Sequence, residues 1–130
     1  MIKILHPALV HFPIAFYFLE LVLWAFWLAK EDPAFARFAQ FSFRLGYGFM
    51  LVSIVSGFIG IGGWRGLSGD VSTHFYGALG VFAFYTAKGI LLRTSDFKQP
   101  SLARVQLFSA LAGNALVTWT AYLGGKLVYS

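Results

Sequence analysis

Three histidines carry the most legible chemistry in this chain. His6 and His11 lie at the start of a first apolar stretch, and His74 opens a third one, two antiparallel crossings later. All three are therefore expected at the same face of whatever the apolar stretches build. In an up-down four-helix bundle the first and third helices are diagonal neighbours, and cofactor sites are made from side chains on facing helices. Inward-facing His11 and His74 would then oppose each other as a bis-imidazole haem requires, since haem iron accepts imidazole as an axial ligand. Two other readings stay open on spacing. An interfacial histidine can serve only as a partly wet hydrogen-bonding group, and His6, His11 and His74 together would suit a Zn or Cu ion or a quinone.

His6 and His11 are five residues apart, about 140° around an ideal helix, so a regular helix cannot aim both inward. His6 precedes Pro7, which biases it toward extended backbone and places it at the lip. His11 is the ligand expected from this reasoning. Pro7 suits a first helical position. Pro13 either kinks a helix that already includes His11, by removing the bond to the Leu9 carbonyl, or marks the start of the regular helix.

Glu20 is the one acid deep in an apolar stretch, and such residues are costly enough to suggest a function with a named partner. Lys88, in the third stretch, can reach it inside a bundle, as a structural ion pair or as part of a proton-handling or quinone site. Asp70 lies four residues before His74, where it could orient the imidazole as a metal-site carboxylate does. Capping of the helix start by Asp70, Ser72 or Thr73 is the stronger expectation. Asn114 and Thr118, one turn apart, could hydrogen-bond between helices.

The elements that must position these groups follow from composition. The chain has 130 residues, of which 58% are hydrophobic and only 12% charged, about half the charge of a soluble domain. Its net charge of +5 is scattered and fifteen phenylalanines outnumber the ten basic residues, which argues against a nucleic-acid partner. The absence of cysteine excludes disulfides, thiolate metal sites and cysteine nucleophiles. Four stretches approach the roughly 20 apolar residues that a membrane crossing needs: 8–29, 43–62, 74–92 and 105–123. The fold class expected is all-α, a single-domain integral membrane bundle of four helices running up-down-up-down, embedded in the lipid bilayer. The first stretch lacks the charged n-region and cleavage site of a signal peptide and is expected to be a retained span.

Lys30, Arg37, Arg44, Lys88, Arg93, Lys98 and Arg104 fall on one side, and Lys3, Arg65 and Lys126 on the other. The positive-inside rule then puts both termini outside. Trp64, Tyr76, Tyr122 and Tyr129 at one end, and Trp24 and Trp27 at the other, fit aromatic belts. Ser53/Gly57 and Ser56/Gly60 are small-residue pairs that permit close helix approach. Gly60-Ile61-Gly62-Gly63-Trp64-Arg65-Gly66 follows a membrane helix rather than a strand and lacks the Gly-Lys-Ser/Thr ending of a phosphate loop, so it reads as an interfacial turn. No nucleophile–base–acid set is present.

The run His6-Pro7-Ala8-Leu9-Val10-His11-Phe12-Pro13-Ile14 resembles the opening signature of DUF2231, a family of small bacterial membrane proteins. Gly62-Gly63-Trp64, His74 and Gly124-Gly125-Lys126-Leu127-Val128-Tyr129 follow in the same order, so the likeness extends over essentially the whole chain. Relatives usually carry a further His-Gly segment after the Leu-Val-Tyr run. The resemblance implies a four-helix protein of the bacterial inner membrane, suspected of redox association and of haem binding. The leading expectation is thus a small b-type cytochrome-like subunit, with haem b between the first and third helices near the outer face, and not an enzyme by itself. The alternative is a non-catalytic accessory subunit of a respiratory or photosynthetic complex, packing against partner helices, lipids or pigments.

Overall fold

The computed structural model describes residues 2–94 and 99–129. Lys98 and the side chain of Lys3, counted above among the basic residues, lie outside the described residues. The elements are α1 (Ile2–Leu9), α2 (His11–Lys30), α3 (Pro33–Gly60), a short 3-10 turn (Gly63–Gly66), α4 (Gly69–Thr94) and α5 (Pro100–Tyr129). Helices α1 and α2 form one leg. Val10 between them keeps right-handed helical angles, and its N–H reaches the His6 carbonyl at 3.1 Å. The break is therefore local, set by Pro13, which cannot donate to Leu9.

The chain bends sharply where local chemistry demands it. Glu31 adopts the left-handed conformation (φ 54°) and closes α2 by donating to the Trp27 carbonyl at 2.8 Å. Asp32 is extended, its carboxylate accepts from the Ala34 N–H at 2.9 Å, and Pro33 takes the first helical position. The first joint is thus two residues long. The Pro33–Ser42 stretch, which lies between the first two apolar stretches expected from the sequence, is helix whose Ala36 and Ala39 are buried. At the second joint Gly62 and Gly63 have positive φ, and a Cβ at Gly66 would overlap the Ile61 carbonyl oxygen. The glycines of this stretch are there for the turn.

Leg α1–α2 packs on α3 and on α5, α4 packs on α5, and α3 touches α4 more sparsely. The legs run up-down-up-down, with α2 and α4 on one diagonal and α3 and α5 on the other. Each leg buries a seam spaced alternately by three and four residues: Pro13, Tyr17, Glu20, Trp24 and Trp27 in α2, and Ala103, Gln106, Ala110, Gly113, Val117 and Thr120 in α5. That repeat is the signature of helices crossing at about 20° in a left-handed bundle.

The packing is inside-out relative to a protein in water. Glu20, Lys88, Gln106, Ser42 and Ser53 are buried, while Phe18, Phe38, Phe41, Val55, Ile90 and Phe108 are exposed. Such a surface is tolerable only against hydrocarbon. Three legs, Ile4–Lys30, Pro33–Gly60 and Gly69–Thr94, are long and apolar enough to cross a membrane. Helix α5 matches them in length at 30 residues but is more polar, with Gln106, Ser109, Asn114, Thr118 and Thr120 along it. Its position against α2 and α4 carries it through the same slab.

Candidate functional site

At the N-terminal end of the bundle the structure brings together His6 and His74. Their ring centroids lie 6.2 Å apart with planes inclined at 71°. His6 donates through Nδ1 to the Ser53 carbonyl at 2.8 Å, with the Ser56 hydroxyl at 3.4 Å beside it. His74 donates through Nδ1 to the Thr120 carbonyl at 3.0 Å. A carbonyl only accepts, so the Nδ1 proton is fixed in both rings, and the neutral form of each keeps its lone pair on Nε2. Histidines that ligate metals are anchored in this way through the nitrogen that does not bind.

Glycines make room for both rings. A Cβ at Gly57 would sit 2.8 Å from His6 Cε1, and one at Gly124 would sit 2.7 Å from His74 Cε1. The histidines come from one diagonal of the bundle and their glycine cradles from the other.

His11 is elsewhere. It is exposed, and its Nδ1 donates to the Pro7 carbonyl one turn back at 2.7 Å. The expectation that His11 faces His74 while His6 stands at the lip is therefore corrected in geometry. Continuing the buried seam of α2 backward from Pro13 by the same spacing reaches Val10 and then His6, and passes over His11. Pro7 biases the residue before it but does not forbid helix. In an apolar slab a helical turn satisfies backbone groups that extended chain would leave bare.

Asp70 is exposed in the first turn of α4, where its charge favours the helix dipole. The N–H groups of Val71 and Ser72 bond to the Ser68 carbonyl, and the Thr73 hydroxyl turns back to the Gly69 carbonyl at 3.5 Å. Thr120, not Asp70, fixes the Nδ1 proton of His74. Among the described residues no group of three or more His, Asp or Glu side chains is placed to hold a metal ion, so a three-imidazole site is not assembled.

A comparison with protein families matches residues 3–130 to the model for predicted membrane proteins of DUF2231. The chain belongs to the DUF2231 family. No curated protein and no solved structure matches it.

A second buried layer of this DUF2231 protein lies further along the same diagonal. Lys88 Nζ is 2.9 Å from Glu20 Oε1, both side chains essentially inaccessible. Trp24 Nε1 donates to the same oxygen at 3.0 Å. Lys88 also donates to the Gln106 carbonyl at 3.1 Å and to Ser109 Oγ at 2.9 Å. Between the two layers Tyr17 and Tyr85 stack, cradled by Gly46 and Gly113.

These contacts expose a relationship that the reading of separate spans misses. His6, Tyr17 and Glu20 each have a counterpart 68 residues later, His74, Tyr85 and Lys88. In α3 and α5 the offset is 67, pairing Ala36-Arg37 with Ala103-Arg104, Phe41-Ser42 with Phe108-Ser109, Gly46 with Gly113, Ser53 with Thr120 and Gly57 with Gly124. The two halves of this DUF2231 bundle are repeats around a pseudo-twofold axis. The anchoring carbonyls and the glycine cradles obey it. Comparing the chain with itself would have placed His6, not His11, opposite His74.

Proposed function

We propose that this chain is a small electron-carrying protein of the bacterial inner membrane in which His6 and His74 are the axial ligands of a haem b. The observation that supports it is the imidazole pair itself. With metal–nitrogen bonds of about 2 Å, a metal between two opposed imidazoles sets their centroids about 6 Å apart, as found here. The Ser53 and Thr120 carbonyls would hold the rings, leaving Nε2 of each for the iron. Gly57 and Gly124, on the other diagonal, lack the side chains that would press on the His6 and His74 rings. Bound there, the iron would carry one electron between its ferric and ferrous states.

On this reading both termini face outward and the histidine layer lies near the outer surface. Lys30, Arg37, Arg44, Arg93 and Arg104 then lie toward the cytoplasm, in line with the positive-inside rule.

The test is a reduced-minus-oxidised visible spectrum of protein purified from haem-replete cells. A low-spin b-type spectrum is expected, lost in both His6→Ala and His74→Ala and kept in His11→Ala. Absence of a haem spectrum in the wild type overturns the proposal. If the chain then migrates in mild detergent as part of a larger membrane complex, an accessory role takes its place.

A further inference from the structure

The two halves are matched in their histidines, tyrosines and glycines, yet they diverge in one polar layer. Glu20 answers to Lys88 and Ala39 answers to Gln106, whereas Pro13/Val81, Trp24/Leu92, Ala36/Ala103, Phe43/Ala110 and Met50/Val117 stay apolar in both halves. An acid–base pair has been built into one level of a repeated scaffold.

That level is also incompletely bonded. Among the described residues Glu20 Oε2 and both amide atoms of Gln106 are buried without a hydrogen-bond partner, and both residues are fully inaccessible. The layer thus leaves two acceptors bare, Glu20 Oε2 and Gln106 Oε1, beside one bare donor group, the Gln106 amide nitrogen. The titratable groups around Glu20 are Lys88 and Tyr85 from α4 and Tyr17 from its own helix. Helices α3 and α5 contribute only neutral residues at this level: Ala39, Ser42, Gln106 and Ser109.

We propose that the Glu20–Lys88–Gln106 layer is an internal proton-binding site, loaded when the histidine layer is reduced. This rests on the haem reading above. With haem iron held by His6 and His74, a one-electron donor would reduce it, and proton uptake from water at Glu20 Oε2 would offset part of the added negative charge. Glu20 becomes a neutral acid, its new O–H has the bare Gln106 amide oxygen as an acceptor in the same layer, and Lys88 keeps its proton and its bonds to α5. The fourteen residues from His6 to Glu20 span about 21 Å. At an effective dielectric near 20, charges that far apart couple by about fourfold in proton affinity, so reduction adds at most about a third of a proton to Glu20 on average.

The experiment is infrared difference spectroscopy on the full chain in lipid nanodiscs, with dithionite reduction as one trigger and a downward pH jump as the other. Both triggers are expected to raise a protonated-carboxyl carbonyl band. Glu20→Gln should delete it while leaving the visible haem spectrum unchanged. Glu20→Asp keeps the carboxyl and its charge, so it should shift the band rather than delete it, which covers the case in which Glu20→Gln does not fold. A band unaltered in both variants, or no carboxyl band under either trigger, overturns the proton site. A wild type without a haem spectrum sinks the haem reading and the redox linkage with it, and the pH jump alone then decides whether Glu20 takes a proton.

Discussion

Tyr17 and Tyr85 stack face to face between the two polar layers, with ring centroids 3.6 Å apart and planes 8° from parallel. They are counterparts in the two halves of the chain, so the pseudo-twofold axis passes between their rings. Their hydroxyls break the symmetry. Tyr17 donates to Met50 Sδ at 3.4 Å, while the Tyr85 hydroxyl is buried without a partner among the described residues. An unpartnered buried hydroxyl costs about 1–3 kcal/mol of desolvation. Tyr85→Phe is therefore expected to leave the thermal midpoint in detergent unchanged or raised, and Tyr17→Phe to lower it slightly. A Tyr85→Phe variant destabilised by more than about 1 kcal/mol would show that its hydroxyl is bonded to internal water.

Two groups of helical glycines differ in what surrounds them. Gly46, Gly57, Gly113 and Gly124 each lie against a ring of the central diagonal, where an added Cβ would fall within 3 Å of that ring. Alanine at any of them should cost about 1–3 kcal/mol through overpacking. Gly48 and Gly80 have open space around them, and there alanine should be neutral or gain about 0.5–1 kcal/mol of helix stability. Melting curves of the six alanine variants check the division. Equal losses in all six would mean that glycine matters here for backbone freedom and not for ring clearance.

Asn114 links α5 to leg one, donating to the Tyr17 carbonyl at 3.2 Å and to the Ala110 carbonyl at 2.8 Å. Thr118, one turn on, is exposed and makes no such link to the interior. Interhelical hydrogen bonds in membranes average about 0.6 kcal/mol, with a ceiling near 1.7. Asn114→Ala should fall in that range, and Thr118→Ala should be silent in the same unfolding assay.

Much of this architecture was legible from residue order alone. Apolar stretches of about 20 residues gave four antiparallel legs, and the isolated acid and base in the first and third stretches pointed into one interior. The helix ends were harder, because Pro33–Ser42 is amphipathic and its helix is held by the Asp32 cap and the Ala36/Ala39 seam, not by apolar length. The histidine layer departs from the expected His11–His74 pairing for a physical reason. The proline after His6 biases the backbone locally, but the three-four seam that runs from Trp27 back to His6 prevails. Local backbone preferences are worth little against the burial of a whole helical face. Gln106 was overlooked because an uncharged amide in a helix of serines, asparagine and threonines has no contrast in the sequence. Only the packing shows its amide to be bare.

The ion pair invites a thermodynamic cycle. Removing one member of a buried pair leaves an uncompensated charge and costs about 3–5 kcal/mol, whereas replacing both with apolar residues of similar volume is often neutral. Glu20→Leu and Lys88→Met should each destabilise strongly, and the double variant should return to within about 1 kcal/mol of wild type. A double variant as unstable as the sum of the singles would show that Gln106, Ser109 and Trp24, not the partner charge, hold each residue.

The pseudo-twofold axis makes a sharper demand on the same pair. Exchanging the residues, Glu20→Lys with Lys88→Glu, moves the ammonium to α2 and the carboxylate to α4. The ammonium of the wild type leans on the Gln106 carbonyl and Ser109 Oγ of α5. The counterparts of those acceptors, the Ala39 carbonyl and Ser42 Oγ, lie on α3 at the same level. Ser42 Oγ donates to the Phe16 carbonyl at 2.7 Å, which leaves its lone pairs free to accept. The exchanged chain should therefore fold and recover more than half of the stability lost by either single charge removal, read from thermal unfolding in detergent. It should not recover all of it, because Trp24 Nε1 donates to Glu20 in the first leg and its counterpart, Leu92, cannot donate to a carboxylate at position 88. An exchanged chain no more stable than the worse single variant would refute the axis as an energetic feature, and leave the repeat as a resemblance in sequence alone.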